Sequence, residues 1–315
     1  MKLASYFGGK GSCYQHIINV IPPHKVFISS HMGQCGVMRN KRPALMNIGF
    51  DLDVSVLRYM GEAGRTNSVD MSYFDQHRDS DPDYLFLWMI GEGMDPMQSF
   101  LTALELGTAT GQWFRTTQSK ITTAAAAVEN NCGIRRYIMA CGDSVSWLEK
   151  ARLERDVFVY SDPPYTLNER GHNRYRFDYT HHDHVQLLDC LTSLDCYVAI
   201  SGYDNELYRE RLSNWSHIEF DAQTRGGVRR EHLWFNYPHP EQLHDYRYLG
   251  DNKMERQCIK RSRNNVMRKL ERMDVRERNA LLNEIEKVYL KRSQKELPSM
   301  AVKNNCVGSE VIKNG

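Results

Sequence analysis

The chain predicts an α/β fold: a mostly parallel twisted sheet with an antiparallel edge hairpin, a helical insert and a basic helical C-terminal extension. Three observations carry this. Short apolar runs alternate with helical stretches along most of the chain, which is the pattern of parallel strands joined by crossovers. The last two strands instead flank a turn-rich segment, Thr224-Arg225-Gly226-Gly227-Val228, as a hairpin does. Beyond residue 250 the apolar runs stop and charged helical sequence takes over.

The elements follow in order. Lys25–Ser30 (KVFISS) and Ala44–Asp51 (ALMNIGFD) read as the first two strands, being β-branched and aromatic over strand length. Residues 66–135 break the alternation and are the best candidate for a target-recognition insert. Tyr73, Phe74, Trp88, Trp113 and Phe114 would supply its aromatics, and Arg115, Lys120, Arg135 and Arg136 its charge. Arg136–Cys141 (RYIMAC) resumes the sheet, followed by Gly142-Asp143 and a helix from Val145. Val157–Ser161 and Tyr197–Ser201 are the next strands, with a helix from Asp183 to Leu194 between them. The polar cluster His181-His182-Asp183-His184 fits a helix entry better than a metal-ligand set. His217–Ala222 and Glu231–Tyr237 form the hairpin. Two helices follow, one over about 253–271 and one capped by Asp274 with Glu277 three residues on. These boundaries divide the chain into a body of residues 1–65 and 136–250, an insert of 66–135, a basic extension of 251–296 and a tail of 297–315.

Composition narrows the class. With 41% hydrophobic and 25% charged residues among 315, the chain is ordinary globular material rather than disordered. No apolar run approaches the ~18 residues of a spanning helix, and no signal-peptide core opens the sequence. Eight cysteines without a C-x-x-C pair support neither a zinc knuckle nor a disulfide framework, so a reducing cytoplasm is the expected setting. The net charge of +2 hides an asymmetry: residues 251–296 hold 14 Lys and Arg against 8 Asp and Glu. A positive helical appendage on a mildly acidic body points to a polyanionic partner, with a solvated charged face as the alternative for any single residue.

The most informative residues are Asp162-Pro163-Pro164-Tyr165, at the end of the strand Val157–Ser161. Ligands bind at the carboxyl ends of strands in open α/β sheets. Two prolines remove two backbone donors and leave their carbonyl oxygens free. A carboxylate, bare carbonyls and an aromatic ring together make an acceptor-rich pocket that suits the amino group of a planar ring. A Pro-Pro surface turn is the other reading of these four residues alone. Two glycine-bearing loops complete the picture. His31-Met32-Gly33-Gln34-Cys35-Gly36 follows the first strand, and Asp51 ends the second at the spacing expected of a carboxylate on ribose hydroxyls. Gly8-Gly9-Lys10-Gly11 lacks the full phosphate-loop pattern, which argues against nucleotide hydrolysis. Arg225, Arg229 and Arg230 near the hairpin turn are candidates for phosphate contacts, as Arg115 and Lys120 are in the insert.

These blocks in this order resemble the Dam-like DNA adenine-N6 methyltransferases, particularly their phage and prophage branch. The resemblance rests on Phe7-Gly8-Gly9-Lys10-Gly11, Gly33–Gly36, MRNKRPA at 38–44, GFDLD at 49–53 and Gly142-Asp143. It continues through SDPPY at 161–165, SGYD at 201–204, LYRERL at 207–212, the segment 224–236 and HDYRYLG at 244–250. It implies a Rossmann-like methyltransferase fold, S-adenosylmethionine as methyl donor, double-stranded DNA as partner, and neither metal nor covalent intermediate. Phe7, Gly8, Gly9, Lys10, Gly33 and Gly36 would surround the donor's methionine part. Asp51 would bind its ribose and Asp143 its adenine amino group. Asp162, Pro163, Pro164 and Tyr165 would hold a flipped-out adenine. The chain departs from the family at Ser30-His31-Met32, where an acidic residue, a proline and a phenylalanine are usual, and at Gln34, usually glycine. Other amine substrates of the same fold (cytosine N4, an RNA adenine) and a non-catalytic DNA-binding relative remain the alternatives. A restriction–modification setting would need a nuclease on another polypeptide, and the oligomeric state is left open.

Overall fold

A computed structural model describes residues 10–11, 13–53, 56, 67–70, 76, 80, 82–95, 98–99, 102–103, 106, 136–165, 177–224 and 227–290. The chain divides into two compact units, Met1–Leu249 and Gly250–Gly315.

The first unit is built on an eight-stranded sheet. Its strands are β1 (Val26–Ser29), β2 (Met46–Asp51), β3 (Asn67–Asp70), β4 (Arg136–Cys141), β5 (Val157–Ser161), β6 (Tyr197–Gly202), β7 (Ser216–Thr224) and β8 (Gly227–Phe235). They lie in the order β3-β4-β2-β1-β5-β6-β8-β7. All pairings from β3 to β6 are parallel, and β8 is antiparallel to both β6 and β7. This is a Rossmann-like sheet with an antiparallel edge hairpin. The central strands are apolar throughout because both faces are covered: Val157, Phe158, Val159, Tyr160 and Ser161 are all buried. Alternate residues divide between two cores, with Val26 and Ile28 on one side and Phe27 on the other.

Helices α1 (Tyr14–Ile18) and α2 (Gly36–Asn40) bury Ile17, Ile18, Val37 and Met38 in the core that holds Phe27. On the opposite face lie α3 (Pro82–Gly91), α4 (Ser144–Leu148), α5 (His181–Ser193) and α6 (Glu206–Arg211), contributing Phe86, Leu148, Leu187 and Tyr208. Helix α5 starts two residues before the expected Asp183 because Thr180 caps it. The Thr180 side chain accepts from the Asp183 amide while the Asp183 carboxylate accepts from the Thr180 amide.

Two differences from the sequence reading have plain causes. Residues 66–135 were expected to stand outside the sheet, yet β3 pairs with β4, and Phe86, Leu87 and Ile90 of α3 lie fully buried beside Phe50 and Trp147. The Trp147 indole donates to the Leu87 carbonyl at 3.1 Å. The beginning of that stretch is therefore part of the body. Trp88 sits on α3, whereas Tyr73, Phe74, Trp113, Phe114, Arg115 and Lys120 lie outside the described residues. The hairpin strands also reach closer to the turn than expected, because added residues such as Gln223, Arg229 and Arg230 are exposed and carry no apolar signal.

In the second unit, α7 (Lys253–Arg272) is capped by Asn252 and α8 (Val275–Ile285) by Asp274, whose carboxylate accepts from the Arg276 amide. The chain continues as a π-helical turn, Glu286–Leu290. Neither α7 nor α8 has a buried residue; Met254 is 82% exposed. No helix among the described residues is long and apolar enough to cross a membrane.

Candidate active site

The topology places the site. Strand β1 has β2 on one side and β5 on the other, so the chain's direction of winding reverses there and a crevice opens beyond the carboxyl ends. The loop after β1, Asp51 at the end of β2 and the Asp162–Tyr165 turn after β5 all lie at that edge. Asp143 sits at the same edge, after β4.

The Asp162 carboxylate is 14% exposed and does not point away into solvent. Its Oδ1 accepts from the Lys10 ammonium at 2.8 Å and from the Ser201 hydroxyl at 2.9 Å. Among the described residues its hydrogen bonds all fall on Oδ1, with the Tyr165 hydroxyl a distant third at 3.4 Å. Ser201, next to last in β6, is itself held by the Tyr160 hydroxyl at 2.9 Å.

Tyr165 is 7% exposed, and its hydroxyl donates to Glu231 Oε2 at 2.6 Å. The same hydroxyl is in contact with the Lys10 ammonium, which also stands 4.7 Å from the ring centroid. Tyr203 meets the ring edge-on at 4.5 Å, and the Arg229 guanidinium lies 5.5 Å from the Tyr203 ring. Lys10, Asp162, Tyr165 and Glu231 thus form one buried network, and an exposed Arg229 stands beside it. Burial alone would lower the Lys10 pKa, but Asp162 and Glu231 outweigh it and hold the ammonium well above the usual lysine range. Burial raises the Glu231 pKa, against the pull of Lys10 and the Tyr165 hydrogen bond.

On the other side of the crevice, Gly33 has φ 46°, a left-handed conformation that a side chain disfavours, and its amide donates to Asp51 Oδ2 at 2.8 Å. Asp51 Oδ1 accepts from the Asp53 amide at 2.8 Å. A Cβ on Gly36 would lie 2.9 Å from the Lys10 carbonyl, so that glycine is needed where the chain segment carrying Lys10 passes over the loop. Asp143 is exposed and caps α4, its carboxylate accepting from the Val145 and Ser146 amides.

His31, where the resemblance would have a proline, bonds Tyr179 through Nε2 at 2.6 Å and Ser30 through Nδ1 at 2.9 Å. Burial drives its pKa down to about 3, so the ring is neutral at physiological pH.

The structure brings together Lys10, Asp162 and Tyr165, and separately Gly33 with Asp51. Pro163 is buried and Pro164 half-buried at the turn. Lys10, grouped with the donor loop in the sequence reading, has its backbone against Gly36 of that loop and its ammonium on the Asp162 carboxylate. Phe7, Gly8, Gly9 and Arg225 lie outside the described residues, as do Arg115 and Lys120. Sequence reasoning quoted Ser201 and Tyr203 only within SGYD, and gave neither them nor Glu231 a role in the site. Glu231 carried a signal, since it is a carboxylate opening the strand read as Glu231–Tyr237, otherwise rich in aromatic and apolar residues.

Residues 106–225 match the family model for D12 class N6 adenine-specific DNA methyltransferases. That match supports the resemblance to the Dam-like adenine-N6 methyltransferases. The matched segment includes β4, the Asp162–Tyr165 turn, the Ser201–Asp204 loop and β7. No curated protein matches the chain.

Among solved structures, an rRNA methylase from Streptococcus thermophilus aligns at 8% identity over 71% of this chain and 93% of its own, with a TM-score of 0.33. TrmK of M. capricolum, bound to S-adenosyl-homocysteine, aligns at 8% identity over 89% of this chain and 96% of its own, with a TM-score of 0.32. The putative methylase HI0767 of Haemophilus influenzae aligns at 10% identity over 71% and 91%, with a TM-score of 0.30. At these scores the likenesses carry no argument about substrate.

Proposed function

We propose that the chain transfers the methyl group of S-adenosylmethionine to N6 of an adenine in duplex DNA. The observation that carries this reading is the seating of Asp162 at the β5 edge, one oxygen held by Lys10 and Ser201, in a turn whose two prolines leave carbonyl acceptors.

The nitrogen of an exocyclic amine is a poor nucleophile because its lone pair is delocalised into the ring. Asp162 Oδ2, together with the Pro163 carbonyl, would accept from the two N–H groups and favour a pyramidal nitrogen with its lone pair directed outward. Fixing Oδ1 fixes the direction of Oδ2, so Lys10 and Ser201 act as positioning residues. Glu231 does the same for Tyr165, whose ring is expected to line the base. When bound, the donor supplies an electrophilic sulfonium methyl. Gly33 and Asp51 fit its methionine and ribose parts, and the exposed Asp143 carboxylate its adenine amine. The chain's contribution is mainly orientation and exclusion of water. A duplex adenine must be turned out of the stack at a cost of a few kcal/mol, offset within the pocket.

The loop Ser30-His31-Met32 favours a second reading, a DNA-binding relative that has lost donor affinity. It offers the Ser30 hydroxyl where the resemblance expects a carboxylate, and beside it a neutral imidazole, His31, where it expects a proline. Calorimetric titration with S-adenosylmethionine separates the two: a saturable site supports the enzyme, and no heat supports the relative. Transfer of labelled methyl to duplex DNA at the rate of an Asp162→Ala control would reject catalysis.

A further inference from the structure

We infer that the face of the β7–β8 hairpin bearing Trp234 carries a binding site for a late first-row divalent cation such as Zn²⁺, formed by His217, Glu219 and His232. Two residues apart on β7, His217 and Glu219 project to the same face, and Glu219 pairs directly with His232 of β8. One donor atom from each of the three lies within 4.8 Å of the others. His217 Nε2 and His232 Nδ1 stand 2.9 Å apart.

Two imidazoles and a carboxylate are the donor set of open Zn²⁺ sites. Tetrahedral ligation asks for roughly 3.3 Å between nitrogens at ordinary Zn–N distances, so the pair need separate only by a few tenths of an ångström. The setting also fits. Trp234 lies against both imidazoles at 5.1 and 5.6 Å between ring centroids, giving one side of the site an apolar wall.

The other charged groups on this face do not forbid a cation. Arg230 reaches Asp221 at 2.9 Å and Glu219 only at 3.6 Å, so it can keep the first and release the second. Asp204 is held by Arg209. The site lies on the face of β8 opposite Glu231, since neighbouring strand residues point to opposite sides. Its cation would therefore not take part in methyl transfer. It would staple the two strands of the sheet edge and so steady the strand that carries Glu231 and Arg229.

The test is titration of the full-length chain with Zn²⁺ alone near neutral pH, and with Co²⁺ as a visible reporter. The proposal expects one saturable site, Co²⁺ bands of nitrogen–oxygen ligation without thiolate charge transfer, and a Zn²⁺-dependent rise in the unfolding midpoint. His217→Ala and Glu219→Ala, both at exposed positions, should weaken binding by roughly tenfold or more and abolish the rise. No uptake of Zn²⁺, uptake unchanged in both variants, or a thiolate spectrum would overturn it; the last would assign the metal to a cysteine such as the exposed Cys258.

Discussion

At the scale of single residues, the buried Lys10 ammonium between two carboxylates dominates. Removing one member of a buried charged network costs about 3–5 kcal/mol, because the partners are left uncompensated. Lys10→Met should therefore be destabilised near neutral pH and recover part of that loss on mild acidification. The sign follows from Glu231: its pKa is already raised, and without the ammonium it takes up a proton more readily still. Denaturant unfolding of the variant at several pH values checks this, and a loss independent of pH would contradict it. Glu231→Gln keeps the shape and removes the charge that fixes the Tyr165 hydroxyl. It should lower kcat for methyl transfer with little change in donor affinity, whereas Asp162→Asn should lower kcat by on the order of 10²-fold. The Asp162 turn was legible in the sequence because its carboxylate and two prolines follow directly on the apolar run Val157–Ser161. Lys10's partners were not, since they are 152 and 155 residues away and no local pattern encodes such a meeting.

At the scale of elements, the parallel strands were legible because burial on both faces makes them continuous apolar runs. The hairpin was read too short, as its exposed ends are polar on both strands. Strand β3 was missed: Asn67-Ser68-Val69-Asp70 has a single β-branched residue, and its place is set by pairing with β4 rather than by propensity. The α5 entry offers a direct check, since Thr180→Ala removes half of a capping box and should cost about 1 kcal/mol.

Elements packed on histidines make a pH prediction. His31 and His244 have pKa values pushed down to about 3, and His24 lies well below the usual range; burial is the first cause in each. Unfolding lets them return to about 6.5, so the unfolded chain binds more protons below that pH. Stability should therefore fall as pH drops from about 6.5 towards 3. His31→Asn should make that fall shallower in urea unfolding midpoints; an unchanged slope would place the proton uptake elsewhere.

At the scale of the whole molecule, the charge asymmetry and the change of composition near residue 250 were plain in the sequence, and the chain divides at Gly250 into a second compact unit. Two helices without a buried side chain, bearing most of the surplus positive charge, are expected to act through phosphates. A chain ending at Leu249 should keep the sheet and the donor site, bind duplex DNA more weakly, and show a shallower fall of log affinity with log salt. Equal salt slopes for the two forms would remove the extension from the DNA contact. What the sequence left open at this scale lies in the stretch 66–135, where propensity is weak and part of the chain belongs to the sheet.

The central claim is that Asp162 and its turn seat the amino group of an adenine. It is tested most directly by incubating the full-length chain with isotopically labelled S-adenosylmethionine and duplex DNA, digesting the DNA to nucleosides and identifying the labelled one. The label should appear in N6-methyladenine for the natural chain and be lost for Asp162→Asn. Label in N4-methylcytosine, or label in N6-methyladenine at equal levels from both proteins, would contradict it.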